Sequence, residues 1–457
     1  MREAMCDSNR RDFLKTSSAA IAGAAVLAAP AVARAAASAN DRIRVAVVGV
    51  GGRGLYSHCT ALLELAKEQN VEIAALCDCD ERRLHAAADN LEKRGGKRPA
   101  TFVEERRILD DKSIDAVSLA TPNHWHALET IWACQAGKDV YVEKPGSHNI
   151  FEGRKMVEAA RKYQRIVQHG TQCRSSGKIR EGIQKLHEGV IGRVYMARGI
   201  AYKIRAGGRN QIGPVPKGMH WDRWLGPAPV APYNLLAVYR WRFLKEYGNG
   251  EIGDQGVHQL DIIRWGLGLD THPSKVQSMG GNYVHKDDED TPSNQVFVCQ
   301  YEKRNLLVQF ETREWFTNSE AGMGVKYPFV DHQNVVGVIF FGTEGYLIIP
   351  DYSSYYVFLG ADRQPGPSAS VPGNPMMDAD HFRNWLLAMR SRKPGDLLAE
   401  IEEGHRSSAL AHLANIAYRT GRTLSFDEKA ERFVGDAAAD QLLTRPYRAP
   451  YVVPNEV

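Results

Sequence analysis

Two short segments, far apart in the sequence, carry the side chains best suited to proton chemistry on an alcohol. The first is EKP, in which the ring of Pro145 restricts Lys144 to an extended backbone. An ammonium held in this way can hydrogen-bond a substrate hydroxyl and stabilise a developing alkoxide. The alternative interpretation is a lysine at a strand end that lies along the surface and pairs with Glu143.

The second segment, GDQGVHQLD, places Asp254 four residues before His258. On a helix these side chains share a face, where a carboxylate fixes the imidazole tautomer and favours its protonated form. The pair suits a histidine that takes a proton from an alcohol while hydride leaves the same carbon. A helix-capping aspartate followed by a hydrogen-bonded core histidine would explain the same spacing.

A glycine-rich segment has the spacing of a dinucleotide-binding turn. GVGGRG fits G-x-G-x-x-G after the apolar run RVAVV, and glycines there let the backbone approach a pyrophosphate. The residues concerned are Gly49, Gly51, Gly52, Arg53 and Gly54. The next apolar run ends in Asp78, whose carboxylate can accept hydrogen bonds from ribose hydroxyls and favours NAD over NADP. Arg82 and Arg83 could tolerate a 2′-phosphate, which leaves NADP open.

The elements around these motifs predict two domains. Over residues 41–165, short apolar strands alternate with helical patterns, which predicts a doubly wound parallel sheet of the Rossmann type. Lys144 would then lie at the carboxyl end of a strand, where ligands of such sheets bind. Over residues 166–457, longer alternating strands predict an α+β domain with a large, mostly antiparallel sheet. Two amphipathic patterns near the end of the chain are expected to form helices at the domain boundary.

Residues 1–37 predict an export signal. Arg10 and Arg11 precede an alanine-rich run and small residues at A-x-A spacing, which is typical of a twin-arginine signal. A Sec signal or an uncleaved anchor is the alternative. The apolar run is short for a membrane span and is broken by Pro30, so no stable membrane insertion is expected after cleavage. These features predict a periplasmic or otherwise exported protein that uses the twin-arginine export machinery.

Charge and composition argue against other classes of protein. The formal net charge is only +4 over 457 residues, and no basic run is interleaved with aromatics, so no nucleic-acid partner is expected. The cysteines lack paired C-x-x-C spacing. The histidines at positions 124, 126, 148 and 169 do not form a metal-binding motif, so no metal site is expected.

Taken together, VGVGGRG, ATPNHWH, EKP and GDQGVHQLD resemble the Gfo/Idh/MocA (glucose–fructose oxidoreductase and inositol dehydrogenase) family, over nearly the whole chain after the signal. The resemblance implies that Lys144 is catalytic and that His258, paired with Asp254, is the base. It also implies a set of residues on the nicotinamide side of the cofactor, namely Thr121, Pro122, Asn123, His126, Glu143 and Lys144. Residues 146–147 and the long loop 203–240 differ from some relatives, so substrate identity does not transfer.

Four further residues are candidates for substrate contacts. Gln172 and Arg174 follow the predicted domain junction, while Trp241 and Arg242 shortly precede the segment with Asp254. Tryptophan is a common platform for sugar rings, and arginine can bind hydroxyls or an anionic group. Ordinary packing or surface ion pairs would also explain each of them.

The expected function is NAD(P)-dependent oxidation of a carbohydrate, either a sugar, a glycoside or a cyclic polyol, at a secondary ring hydroxyl. Because no pool regenerates free NAD outside the cytoplasm, we expect a tightly bound dinucleotide that is recycled within each catalytic cycle. Two alternatives stay open. One is an NAD-dependent glycoside hydrolase that oxidises transiently, eliminates, hydrates and re-reduces; the other is a non-catalytic binding protein that retains the nucleotide. A homo-oligomer is also expected, since sheet faces in such second domains often pair subunits.

Overall fold

The computed structural model describes residues 41–315, 334–371 and 377–457. The predicted signal, residues 1–37, lies outside the described residues. Within the described ranges, no helix combines the length and apolar character that a membrane crossing requires. Residues Ile43–Val457 form one compact unit, which is built on two sheets.

The first sheet has six parallel strands in the order β3-β2-β1-β4-β5-β6. These strands are β1 (Ile43–Val48), β2 (Val71–Cys77), β3 (Ala100–Phe102), β4 (Ala116–Leu119), β5 (Asp139–Val142) and β6 (Val167–His169). The helices among them are α1 (Cys59–Leu65), α2 (Glu81–Lys93), α3 (Arg106–Asp110), α4 (Asn123–Gln135) and α5 (Ile150–Lys162). β4 and β5 are buried along their whole length, which explains their uninterrupted apolar sequences. The strand order is that of a Rossmann sheet, so the predicted fold of this half is confirmed.

Over the described ranges, the second sheet has ten strands in the order β14-β13-β12-β11-β7-β10-β9-β8-β15-β16. These are β7 (Val194–Lys203), β8 (Lys275–Gly281), β9 (Asn294–Tyr301), β10 (Leu306–Arg313), β11 (Asn334–Gly342), β12 (Gly345–Ile349), β13 (Ser354–Leu359), β14 (Gln364–Ser370), β15 (Leu424–Asp427) and β16 (Arg432–Phe433). β7 and β10 pair in parallel, and the other pairs are antiparallel. The predicted mostly antiparallel sheet is therefore confirmed.

The helices of the second half of the chain pack on this sheet or on the first half. They are α6 (Gly177–His187), α7 (Trp221–Leu225), α8 (Leu235–Arg240), α9 (Val257–Leu267), α10 (Met377–Ser391), α11 (Ile401–Thr420) and α12 (Ala437–Asp440). α10 packs on α1, and α11 contacts α5 of the first half as well as β8 and α9 of the second. The C-terminal helices thus hold the two sheets together.

The chain returns to the first sheet after α12. Tyr451, Val453 and Val457 are buried in the same hydrophobic cluster as Trp125 of α4. The Tyr451 and Trp125 rings meet edge to face at 5.2 Å. The core of the Rossmann half is therefore completed by residues far along the chain.

Candidate active site

The turn between β1 and α1 requires glycine at two positions, Gly49 and Gly54. Gly49 has φ +81°, and a Cβ placed there would lie 2.7 Å from the carbonyl carbon of Ala120. A Cβ on Gly54 would lie 1.9 Å from the carbonyl oxygen of Gly49. By contrast, Gly52 has nothing within 4 Å and Gly51 only an arginine nitrogen at 3.4 Å. The turn therefore leaves open space against its backbone, as a pyrophosphate requires.

A cavity of about 400 Å³ opens beside this turn. The predicted residues that line it are Gly49, Gly51, Gly52, Arg53, Asp78, Thr121, Pro122, Trp241 and Arg242. Asp78 stands at the end of β2, where Oδ2 accepts from the Val50 amide (3.0 Å) and Oδ1 from the Asp80 amide (2.9 Å). Each oxygen keeps a lone pair for a further donor. The open turn and this fixed carboxylate fit the phosphate and ribose ends of a dinucleotide.

Three residues predicted to contact the cofactor make contacts within the protein instead. Gly54 closes the turn against Gly49. The Asn123 amide donates to Asn249 Oδ1 (2.9 Å), and both ring nitrogens of His126 lie 2.7 Å from carbonyl oxygens, those of Thr121 and Pro145. Both residues are buried and neither lines the cavity, so Asn123 and His126 support the cavity wall and the EKP segment instead.

Glu143 anchors a buried polar chain behind the cavity. Its Oε1 accepts from Arg53 Nε (2.7 Å) and lies 3.0 Å from His58 Nε2, whose Nδ1 lies 2.8 Å from Ser118 Oγ. Arg53 also bonds Asp378 at 2.7 Å. Burial alone would raise the pKa of Glu143, but Arg53 and His58 hold it well below its ordinary value. The sequence motifs gave no indication of His58 or Asp378, because both reach this point from helices that packing brings close.

Lys144, at the tip of β5, reaches the segment that begins α9. Its ammonium donates to the carbonyl oxygen of Asp254 (2.6 Å) and to Oδ1 of the same residue (2.8 Å), 110 residues along the chain. Asp254 lies in a π-helical turn, Ile252–Gly256, directly before α9. Burial acts to raise the pKa of Asp254, yet Lys144 and the arginines around it lower that pKa well below its ordinary value. The structure therefore brings together the two segments that the sequence singled out.

His258 differs from the expectation in its partner and in its charge. Its Nδ1 lies 3.8 Å from Cys173 Sγ, and within the described part of the chain no hydrogen bond joins it to Asp254. Burial and then the charge of Lys144 lower the pKa of His258 to about 3. Asp254 bonds cationic nitrogens instead of the imidazole because charge-assisted hydrogen bonds are the stronger ones. The predicted Asp254–His258 bond and protonated imidazole are thus corrected to a neutral histidine.

The four proposed substrate residues divide into two groups. Trp241 and Arg242 line the cavity, with the Arg242 guanidinium 4.3 Å above the Trp241 ring and its Nε 3.1 Å from Asp254 Oδ1. Gln172, with its amide oriented to satisfy both atoms, donates to the carbonyl oxygen of Gly170 and accepts from Arg53 at 3.2 Å. Arg174 does not line the cavity: it is buried against Asp261, with the closest N···O distance 2.8 Å.

The long loop noted in the sequence crosses the adenosine side of the cavity. The His220 amide donates to the carbonyl oxygen of Cys79 (2.9 Å), and the Glu81 amide donates to that of Gly218 (2.9 Å). The side chains of His220 and Glu81 also meet at 2.7 Å, and Arg223 donates to Glu104 at 2.6 Å. These bonds tie the loop to the ends of β2 and β3 and to the start of α2.

Two acids that the motifs did not reveal also line this side of the cavity. Glu105 and Glu129 both face it, and Thr121 Oγ1 donates to Glu129 Oε2 at 2.5 Å. Burial raises the pKa of Glu129 to about 7, and burial together with Glu129 raises the pKa of Glu105. Their separation along the chain hid the pairing, since no local motif links a residue before α3 to one within α4.

Among the described residues, one group has the composition of a metal site. His272 Nε2 and His405 Nε2 lie 2.8 and 2.7 Å from the same oxygen, Oε1 of Glu431. Arg154 donates to both oxygens of that carboxylate, at 2.7 and 3.0 Å. A guanidinium in this position repels a cation, so hydrogen bonding and charge pairing account for the cluster. The histidines named in the sequence analysis are not part of it.

Comparisons with known proteins agree with this architecture. The model of the "Oxidoreductase family, NAD-binding Rossmann fold" matches residues 43–171, and that of the "Oxidoreductase family, C-terminal alpha/beta domain" matches residues 181–302 and 370–453. Among solved structures, a levoglucosan dehydrogenase in complex with NADH and levoglucosan has a TM-score of 0.63 at 17% identity, covering 84% of this chain and 99% of its own. The WlbA dehydrogenase from Bordetella pertussis, in complex with NADH and UDP-GlcNAcA, has a TM-score of 0.62 at 17% identity with the same coverage. At these identities the likeness shows the fold alone.

Curated relatives match over a shorter part of the chain. A glycosyl hydrolase family 109 protein from Stenotrophomonas maltophilia is 37% identical over 140 residues, 29% of each chain. An alpha-N-acetylgalactosaminidase from Shewanella oneidensis is 30% identical over 127 residues, 27% of each chain. The chain therefore spans less than a third of the length of these two relatives. With both family models matched, the chain belongs to the Gfo/Idh/MocA oxidoreductase family and carries its NAD-binding Rossmann domain.

Proposed function

We propose that the protein is an NAD-dependent oxidoreductase acting at a secondary ring hydroxyl of a sugar, glycoside or cyclic polyol. The observation that carries the proposal is the contact of Lys144 with Asp254, whose carboxylate also bonds Arg242 in the wall of the cavity beside the glycine turn. Carbohydrate ligands named for two structures of the same fold, levoglucosan and UDP-GlcNAcA, support the substrate class.

The roles of the residues follow from their donors and charges. Bound NAD supplies the hydride acceptor. Lys144 has three N–H donors and, among the described residues, uses two of them on Asp254, so one is available to polarise a substrate oxygen. His258 is neutral at physiological pH and takes the hydroxyl proton on Nε2 when its own proton is on Nδ1, facing Cys173. Asp254 holds the ammonium in place.

The same proposal includes a tightly held dinucleotide. The loop that carries Gly218, His220 and Arg223 is bonded across the adenosine side of the cavity, so release of the nucleotide would require several of these bonds to break. Protein purified gently and desalted is expected to retain close to one dinucleotide per chain, measured by mass spectrometry and nicotinamide absorbance. A protein that loses its nucleotide on gel filtration would contradict retention.

Glycoside hydrolysis through transient oxidation is the second candidate, because the curated relatives include glycosyl hydrolase family 109 proteins. It would use the same lysine, histidine and retained nucleotide. Nitrophenyl glycosides distinguish the two: release of nitrophenol without net NADH favours hydrolysis, whereas a keto sugar formed with a reduced co-substrate favours the oxidoreductase. A retained nucleotide whose absorbance no sugar or glycoside changes would favour a non-catalytic binding protein and refute both.

We also propose export by the twin-arginine route and assembly into a homo-oligomer. The first rests on the sequence of residues 1–37, and replacing Arg10 and Arg11 together by lysine should keep the protein in the cytoplasm. The second is supported by exposed apolar side chains on the second sheet, including Met279 of β8 and Tyr195 of β7. Light scattering of the purified protein tests it, and a monomeric mass would refute it.

A further inference from the structure

We propose that the substrate carries an anionic substituent, a carboxylate or a sulfate, which binds the terminal nitrogens of Arg242 while Lys144 contacts the hydroxyl that is oxidised. This inference rests on the proposed function, since it narrows the substrate class of the same site. Its support is an imbalance of charge around Asp254 and an arginine edge that faces the cavity without a partner.

Positive charge is in excess around Asp254. Its carboxylate contacts Lys144 at 2.8 Å, Arg242 at 3.1 Å and Arg205 at 3.4 Å. The neighbouring Glu251 pairs with Lys203 at 3.0 Å and with the same Arg205 at 2.5 Å. Within the described ranges of the chain, four cationic side chains therefore face two carboxylates in one connected group.

The acids that surround this group do not remove the excess. Glu314 lies 3.9 Å from Arg205, but burial and then the charge of Glu251 raise the pKa of Glu314 to about 8, so it is largely uncharged at neutral pH. On the other side of Lys144, Arg53 is held between Glu143 and Asp378. When these three are included, five cations still face four carboxylates among the residues that the structure describes. Burying an excess of charge of one sign costs free energy unless an opposite charge neutralises it.

Arg242 presents the geometry that such a counter-charge would use. Its Nε is bonded to Asp254, while within the described part of the chain neither terminal nitrogen has a hydrogen-bond partner. The side chain is 36% exposed, lines the cavity and has its guanidinium carbon 4.3 Å from the centroid of the Trp241 ring. A planar guanidinium with a free edge matches the two oxygens of a carboxylate or sulfate. Lys144 stands on the other side of Asp254, at the proposed site of oxidation.

The test compares sugars that differ only in charge. Isothermal titration of the nucleotide-loaded protein would use glucose, galactose and mannose, each matched with its uronate and its 6-sulfate, so that the two kinds of anion are distinguished. At least one anionic sugar is expected to bind about 10- to 100-fold more tightly than its neutral counterpart, the range for a charge-assisted hydrogen bond. Arg242→Gln should remove the preference, and Arg242→Lys should restore part of it. Arg209→Gln, a change at an exposed arginine of the long loop 203–240, should leave the preference unchanged.

Several outcomes would overturn the inference. Equal binding of neutral and anionic sugars would refute it, and so would the absence of binding by all of them. A preference for an anionic sugar that persists in Arg242→Gln would also refute it. An Arg242→Gln variant that loses nucleotide but keeps the preference would assign Arg242 to the dinucleotide instead. If that variant does not fold, the wild-type preference must still weaken as salt rises, because salt screens charge. If the enzyme oxidises or hydrolyses only neutral sugars, the proposed function stands and the anionic substrate is refuted. If anionic sugars bind more tightly but none is turned over, the anion site stands and the proposed function is refuted.

Discussion

Replacing Lys144 by alanine is expected to remove most turnover while leaving the fold and the bound nucleotide in place. With partners in the described part of the chain, the ammonium makes two hydrogen bonds, both to Asp254, at 2.6 and 2.8 Å. Without it, the Asp254 carboxylate keeps Arg242 at 3.1 Å and Arg205 at 3.4 Å, so no charge is left buried without a partner. Lys144 does not line the nucleotide cavity, and Asp78 and the glycine turn are untouched.

The size of the effect follows from the role assigned to the ammonium. Loss of one positioned donor to a developing oxyanion costs about 10²- to 10³-fold in kcat, or about 2.7–4 kcal/mol. The loss should appear in kcat because the interaction strengthens as charge develops on the substrate oxygen.

The assay is single-turnover reduction of the retained NAD by substrate, followed through nicotinamide absorbance, with nucleotide content and Tm measured on the same samples. Lys286→Ala removes an exposed lysine and serves as the control. A Lys144→Ala protein that is folded, loaded with nucleotide and close to wild type in turnover would refute the assigned role.

Four further predictions concern the other residues of the site and its support. His258→Ala should lower turnover by about 10²- to 10⁴-fold with nucleotide retained, as expected for loss of a general base, and unchanged turnover would exclude that role. Because burial lowers the pKa of His258 to about 3, its base form persists from neutral pH down to about pH 4, and a kcat profile that falls through pH 6.5 would contradict this assignment. Asp78→Ala should lower the affinity for NAD by about 10- to 100-fold and reduce the ratio of NAD to NADP affinity, both measured by reloading the nucleotide-free protein. An unchanged NAD affinity would disprove the ribose contact. Arg174→Ala, which strands the buried Asp261, should cost about 3–5 kcal/mol of unfolding free energy in denaturant titration, and a loss below about 1 kcal/mol would mean the pair is not buried as described.

The sequence was sufficient for the features that depend on local patterns. Continuous apolar runs marked β1, β4 and β5 because strands covered on both faces contain few polar residues. The glycine spacing marked a turn where a side chain at position 49 would collide with Ala120. The lysine at the tip of β5 followed from the same pattern.

Side-chain pairing across the fold could not be predicted. Asp254 was assigned to the imidazole one turn away, whereas the structure pairs it with Lys144, 110 residues distant. Arg174 was assigned to the substrate although Asp261 neutralises it in the interior. In both cases the stronger partner comes from another element, and sequence spacing carries no information about that proximity.

The return of the chain to the first sheet bears on how the nucleotide is captured during biosynthesis. Tyr451 lines the cavity and packs on Trp125, yet it lies far beyond the glycine turn in the order of translation. A ribosome makes the chain from the N-terminus onwards, so this wall is missing until residue 451 has emerged. Tight binding of the dinucleotide would then occur only in molecules in which the C-terminal residues have packed on the first sheet. A fragment limited to residues 41–165 should therefore bind the dinucleotide weakly.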